Sequence, residues 1–207
     1  ARLFGQGRAG ARCLWFRSGW GRLCLWLGST AISLGGGKLS LLAIERCLSP
    51  NLGPRKGGLA PYLIVVHYTA MPNAQAALER LSDPTHEVSA HYFLDQSGGA
   101  VQLVPEAQRA WHAGAGAWGG CTDINSASIG IELCNAGDHA FSSAQMQALK
   151  SLLKEVMQRW GIAAQGVIGH SDMAPGRKQD PGRWFDWQDL AKEGLAVYRG
   201  APHSRRL

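Results

Sequence analysis

No two of the five cysteines, Cys13, Cys24, Cys47, Cys121 and Cys134, stand in a Cys-x-x-Cys pair. That excludes a zinc ribbon and a thioredoxin-like dithiol. Their odd number and wide spacing call for no disulfide framework, and Cys134, inside an apolar run, suits a thiol packed as a small hydrophobe. A Gly-x-Ser-x-Gly elbow is missing, which excludes the serine hydrolases built on it. No internal repeat is apparent. The apolar stretch at 23–34 is broken by Gly28, Ser29 and Thr30 and is too short to span a membrane.

Acidic residues are absent from positions 1–44, where six basic ones stand: Arg2, Arg8, Arg12, Arg17, Arg22 and Lys38. All 15 acidic residues follow, so the net charge of +6 belongs to the N-terminal segment and the body is neutral. Neither nucleic acid nor stable membrane insertion is therefore expected of the body. Residues 1–44 are expected to form a basic extension, disordered or upstream of the natural start. An export signal is the alternative, since arginines precede the apolar stretch and Ala31-Ile32-Ser33 resembles a small-x-small cleavage site. The extension reading implies the cytoplasm, and the export reading the periplasm or cell envelope. Residues 45–198 suit one domain with a real core, acting as a monomer, and 199–207 a polar tail.

Within that domain the run at 62–66 (YLIVV) reads as a buried strand, closed by His67 and followed by Tyr68. Residues 74–81 suit a short helix. The runs at 88–95 and 100–104, joined through Gly98-Gly99, suit a β-hairpin. Residues 109–116 (RAWHAGAG) read as a loop and 122–125 as a turn. The run SIGIELC at 128–134 places Ile129, Ile131 and Leu133 on one strand face and Glu132 on the other. Ser142 is the expected N-cap of the longest helix, to about Trp160, with Gln145 completing a capping box and Gly161 as the stop. Asp186 is expected to cap a final helix to Tyr198. Strands alternating with helices, plus a hairpin, indicate the α/β class: a single domain with a mixed central β-sheet flanked by helices.

The stretch VIGHSDMAPGRKQDPG at 167–182 concentrates chemistry. A short buried strand leads to His170, and Pro175, Gly176, Pro181 and Gly182 make the rest a fixed loop that can return Asp180 to His170. Two ligands do not hold zinc. His67, at the mouth of a strand, supplies a third. Taken singly, His67 reads better as a core histidine and His91 as a packing group, Glu132 suits solvent or the cleft, and Trp111 suits a plug under a loop as well as a binding surface. Together, His67, His170 and Asp180 make the three-ligand set that leaves a zinc position open to water. Glu132 is the candidate base and Lys178 the candidate cation for an oxyanion. Tyr68, His91, Trp111, His112 and Asn125 are the candidates for substrate contact.

The segments LIVVHYT, VSAHYFLD, RAWHAG, NSASIGIEL and GHSDMAPGRKQDPG occur in this order across residues 45–198. This set resembles the zinc N-acetylmuramoyl-L-alanine amidases, which are related to peptidoglycan recognition proteins. The resemblance implies a groove over a mixed sheet and one zinc on His67, His170 and Asp180. It also implies cleavage of the amide between the lactyl group of N-acetylmuramic (or anhydromuramic) acid and L-alanine, in peptidoglycan or muropeptides. It puts Glu132 at the general-base position and Lys178 at the lysine two before the last ligand. Relatives with a cysteine as last ligand often carry tyrosine before the hairpin histidine. This chain has Ala90 and Asp180, so a cysteine ligand is not expected. A non-catalytic peptidoglycan-binding module on the same fold is the alternative, and such modules typically lack a ligand that is present here.

Overall fold

The computed structural model describes residues 42–198 and, by backbone, two short strands before them. β1 (Trp15–Ser18) and β2 (Gly21–Cys24) pair antiparallel. The expectations for the remainder of 1–41 and for the tail at 199–207 lie outside the described residues. The main body then runs through β3 (Ile44–Arg46), β4 (Leu52–Pro54), β5 (Leu63–Tyr68), α1 (Ala74–Ser82), β6 (Tyr92–Leu94), β7 (Ala100–Gln102) and β8 (Gln108–Ala110). It continues with α2 (Ile124–Ala127), β9 (Ser128–Leu133), α3 (Ser143–Trp160), β10 (Val167–Gly169), α4 (His170–Met173) and α5 (Trp187–Lys192).

Six strands form one mixed sheet in the order β10-β5-β9-β6-β7-β3, and β4 pairs with β8 beside it. Neighbours β10, β5, β9 and β6 are parallel, whereas β6 and β7 form the antiparallel hairpin. Strand alternation sorts the apolar residues to two faces. Ile64, Val66, Ile129, Ile131 and Leu133 meet the stripe Leu149, Leu152, Leu153 and Val156 of α3. Each such fully buried side chain contributes roughly 1.5–3 kcal/mol. On the opposite face, Leu63, Val65 and Ile168 pack on Ile124, Ala127 and Met173, while Phe93 and Leu103 meet Ala77 and Leu81 of α1. No helix among the described residues is long and apolar enough to cross a membrane, and no disulfide joins their cysteines.

Several local expectations are corrected. Ser142 caps α3 by accepting the Gln145 N–H at 3.0 Å, but the Gln145 side chain does not return the bond. Its amide instead donates to the Leu94 and Cys134 carbonyls at 3.0 and 3.2 Å, tying α3 to the ends of two strands. The final helix stops at Lys192 because the chain turns at Gly194 (φ +69°) to bury Leu195 and Ala196 in the core. Residues 170–173 form one helical turn where a loop was expected. Asp123 opens another such turn by capping Ser126 N–H, and Arg109 and Ala110 belong to a strand rather than to a loop.

Candidate active site

Because β5, β9 and β10 are parallel neighbours, their C-terminal ends lie along one edge of the sheet, where connections part and clefts form. His67 is the fifth residue of β5, Glu132 the fifth of β9, and His170 follows directly on β10. His67 and Glu132 are Cα register partners, so both point away from α3. The loop after α4 brings the last member back: the Ser171 N–H donates to the Asp180 carbonyl at 2.9 Å.

Three acceptor atoms converge there. His67 Nδ1 lies 2.9 Å from His170 Nδ1 and 2.9 Å from Asp180 Oδ2, and His170 Nδ1 lies 3.0 Å from the same oxygen. The far side of the His170 imidazole settles its tautomer. His170 Nε2 donates to the Ala113 carbonyl at 2.8 Å, leaving Nδ1 with its lone pair. His67 Nε2 faces His112 Nδ1 at 3.0 Å. Burial takes the His67 pKa down to about 4, so the ring is neutral at pH 7. With His67 also presenting a bare Nδ1, two ring lone pairs and a carboxylate oxygen would face one another and repel unless a cation sat among them. Nitrogen and oxygen donors of this kind suit zinc, whose tetrahedral ligands stand about 3.3 Å apart. His67, His170 and Asp180 could thus hold a metal ion, and all three are buried.

Glu132 stands beside this triangle. One of its oxygens, Oε2, is sealed from solvent and has no hydrogen-bond partner. Burial, with the Asp180 charge adding to it and Lys178 opposing, raises its pKa to about 8. An unpaired buried carboxyl oxygen in a cleft is costly, and such groups mark functional sites. The cleft is a groove of about 430 Å³. Tyr68, Trp111, His112 and Lys178 line it together with the triangle and Glu132. Burial and the Asp180 charge raise the Tyr68 pKa.

Two expected substrate contacts are not in the groove. His91 is fully buried behind it, with Nδ1 accepting the Gly130 N–H at 2.9 Å and Nε2 donating to the Gln108 carbonyl at 3.1 Å. Asn125 turns its Oδ1 onto the N–H groups of His112 and Ala113, at 3.0 and 2.8 Å. It shapes the loop that presents His112. Trp111, by contrast, is half-buried on the groove wall and is not a core plug.

Sequence reasoning missed three participants. Arg55, in the Gly- and Pro-rich lead-in, donates to the carbonyls of Ser126, Ser128 and Glu106 at 2.6, 3.0 and 2.8 Å, bracing the start of β9. Burial lowers its pKa to about 10. Arg177 donates to the Ala113 and Ala115 carbonyls, clamping the His112 loop to the loop that carries Asp180. Ser128 holds the far side of His112, 3.2 Å from its Nε2. None has a spacing signal, because each acts on residues distant in the chain.

Residues 57–183 match the family model described as N-acetylmuramoyl-L-alanine amidase. The chain belongs to that family. AmiD of Escherichia coli K12, an N-acetylmuramoyl-L-alanine amidase, is 37% identical over 202 residues, covering 87% of this chain and 71% of the relative. The 1,6-anhydro-N-acetylmuramyl-L-alanine amidase AmpD of the same organism is 34% identical over 164 residues, covering 71% of this chain and 90% of the relative. Among solved structures, E. coli AmiD in complex with the substrate anhydro-N-acetylmuramic acid-L-Ala-D-γ-Glu-L-Lys has a TM-score of 0.64 at 38% identity, covering 70% of this chain and 62% of that one. The mixed sheet flanked by helices is the architecture of these amidases.

Proposed function

We propose that this N-acetylmuramoyl-L-alanine amidase is a one-zinc hydrolase in which His67, His170 and Asp180 hold the metal, Glu132 carries the proton and Lys178 steadies the oxyanion. The observation that carries the reading is the triangle of three acceptor atoms 2.9–3.0 Å apart, with an unpaired carboxyl oxygen on the neighbouring strand. The bond broken joins the lactyl carbonyl of muramic acid to the amino group of L-alanine. The anhydromuramoyl peptide held by AmiD and the activity named for AmpD support anhydromuropeptides as the substrate class. Every proposed group comes from one chain, which supports a monomer as the working unit.

Trp111 offers a flat apolar wall to the sugar or the peptide as it enters. His67, His170 and Asp180 would hold zinc, which when bound would supply Lewis acidity to the carbonyl and to the attacking water. Glu132 takes a proton from the attacking water as the oxygen adds to the lactyl carbonyl carbon. Lys178, whose charge reaches both His67 and Glu132, stands by the negative charge that grows on the carbonyl oxygen. Glu132 then passes its proton to the alanine nitrogen, the C–N bond breaks, and a muramoyl carboxylate and a free peptide leave. A cation beside Glu132 opposes the effect of Asp180 and lowers the carboxyl pKa, so metal loading and a working base go together. A non-catalytic binding module would have no use for a buried, unpaired Glu132 oxygen beside a full ligand set.

The test is incubation of the full chain with anhydromuramoyl-L-Ala-D-γ-Glu-L-Lys, with and without chelator, followed by mass spectrometry. Free tripeptide released without chelator, suppressed with it and restored by Zn²⁺ is expected. No release by the zinc-loaded chain would overturn the reading.

A further inference from the structure

We propose that Ser128 and His112 are positioning residues: through a chain of ordered hydrogen bonds anchored on the Ile124 carbonyl, they hold His67 in the tautomer that can bind a metal. The inference rests on the reading of His67 as a ligand.

The ordering starts from a group that cannot change its role. The Ile124 carbonyl only accepts, and Ser128 Oγ lies 2.5 Å from it, so the single hydroxyl proton points there. Ser128 can then only accept from His112 Nε2, at 3.2 Å, which must carry the ring proton. A neutral imidazole has one N–H, so His112 Nδ1 bears a lone pair. That lone pair faces His67 Nε2 at 3.0 Å, which therefore donates. His67 Nδ1 is left bare, aimed at His170 Nδ1 and Asp180 Oδ2. Each assignment follows from the one before.

The surroundings are built to keep the His112 ring in place. Gly130 lies flat beneath it, and a Cβ at that position would come within 2.4 Å of the His112 Cγ. Asn125 fixes the backbone on either side through its two accepted N–H bonds. Ser128 and His112 are themselves buried. His170 reaches the same end by a shorter route, donating directly to the Ala113 carbonyl. Both proposed histidine ligands are thus referred to a main-chain carbonyl, one directly and one through two side chains. Orienting partners of this type commonly change metal affinity about 10–100-fold when removed.

The experiment measures two quantities on the full chain. One is the ¹⁵N shifts of the His67 ring in metal-free protein at pH 7.5. The other is zinc affinity by competition with a chromophoric chelator, for wild type, Ser128→Ala, Ser128→Thr and His112→Phe. In wild type, His67 is expected to be protonated on Nε2 and bare on Nδ1. Ser128→Ala and His112→Phe should mix the two tautomers and weaken zinc binding about tenfold or more, and Ser128→Thr, which keeps the hydroxyl, should restore both. Wild-type His67 protonated on Nδ1 would overturn the inference whatever the variants do, as would unchanged tautomer and affinity in Ser128→Ala. Correct tautomers with no zinc bound to wild type would sink the ligand reading and leave the ordered chain standing, so the two failures are distinguishable.

Discussion

His67 and Glu132 are directly paired across the parallel ladder of β5 and β9. Their side chains leave the same face of the sheet from strands about 4.8 Å apart. The distance between the proposed ligand and the proposed base is therefore set by strand pairing and not by a loop. Sites on rigid elements hold reacting groups more tightly than sites on loops. The rest of the constellation, Lys178 and Asp180, comes from the segment after α4, and Arg177 clamps that segment to the loop bearing His112.

Glu132→Gln should fold and keep its zinc while losing turnover by about 10²–10⁴-fold, the usual contribution of a positioned base. Peptide release and metal content, measured on one preparation, check this. Near-normal turnover would place the base elsewhere.

Lys178→Ala should lower kcat by about 10²–10³-fold, in the range of a lost oxyanion donor, with zinc content unchanged. Loss of the metal together with activity would mean that the lysine supports the loop and not the oxyanion.

The pattern of the chain made some of this legible and hid the rest. His67, Glu132 and His170 stand out because each is a polar residue at the end of a short apolar run, where a strand delivers it to an edge. The loop of 170–180 could be read as returning Asp180, because Pro and Gly leave few other paths. His91 and Asn125 look like site residues in the sequence, but their partners are main-chain groups far along the chain, and no local spacing records those. Gln145 misled for a similar reason: its local capping partner was outcompeted by two buried carbonyls at strand ends.

Metal-free protein should lose stability through Glu132 as pH rises from about 4.5 to about 8. Burial raises the folded-state pKa to about 8, so in that window the folded chain keeps a proton that the unfolded chain has released. The contribution is full below the lower value and gone above the upper one. His67 and His91 act in another window: their folded pKa values are lowered to about 4 and about 3, so what they contribute is present above 6.5 and lost as pH falls. Melting curves of metal-free wild type and Glu132→Gln between pH 5 and pH 8.5 should therefore differ by an amount that changes with pH. A constant offset would contradict the assignment.

Gln145→Ala should destabilise the fold by about 1–3 kcal/mol, since it takes the side-chain donor from the Cys134 carbonyl and leaves the Leu94 carbonyl with only the Cys134 N–H. Urea denaturation measures it. The loss should leave zinc affinity untouched, because Gln145 lies on the α3 side of the sheet.

The central claim is that three side chains make one metal site, and zinc content tests it most directly. The full chain and Asp180→Ala would be purified identically, equilibrated with a limited excess of Zn²⁺, freed of unbound metal and analysed. The account predicts about one zinc per chain in wild type and only a small fraction of that in the variant. Full zinc in Asp180→Ala, or none in wild type, would contradict it.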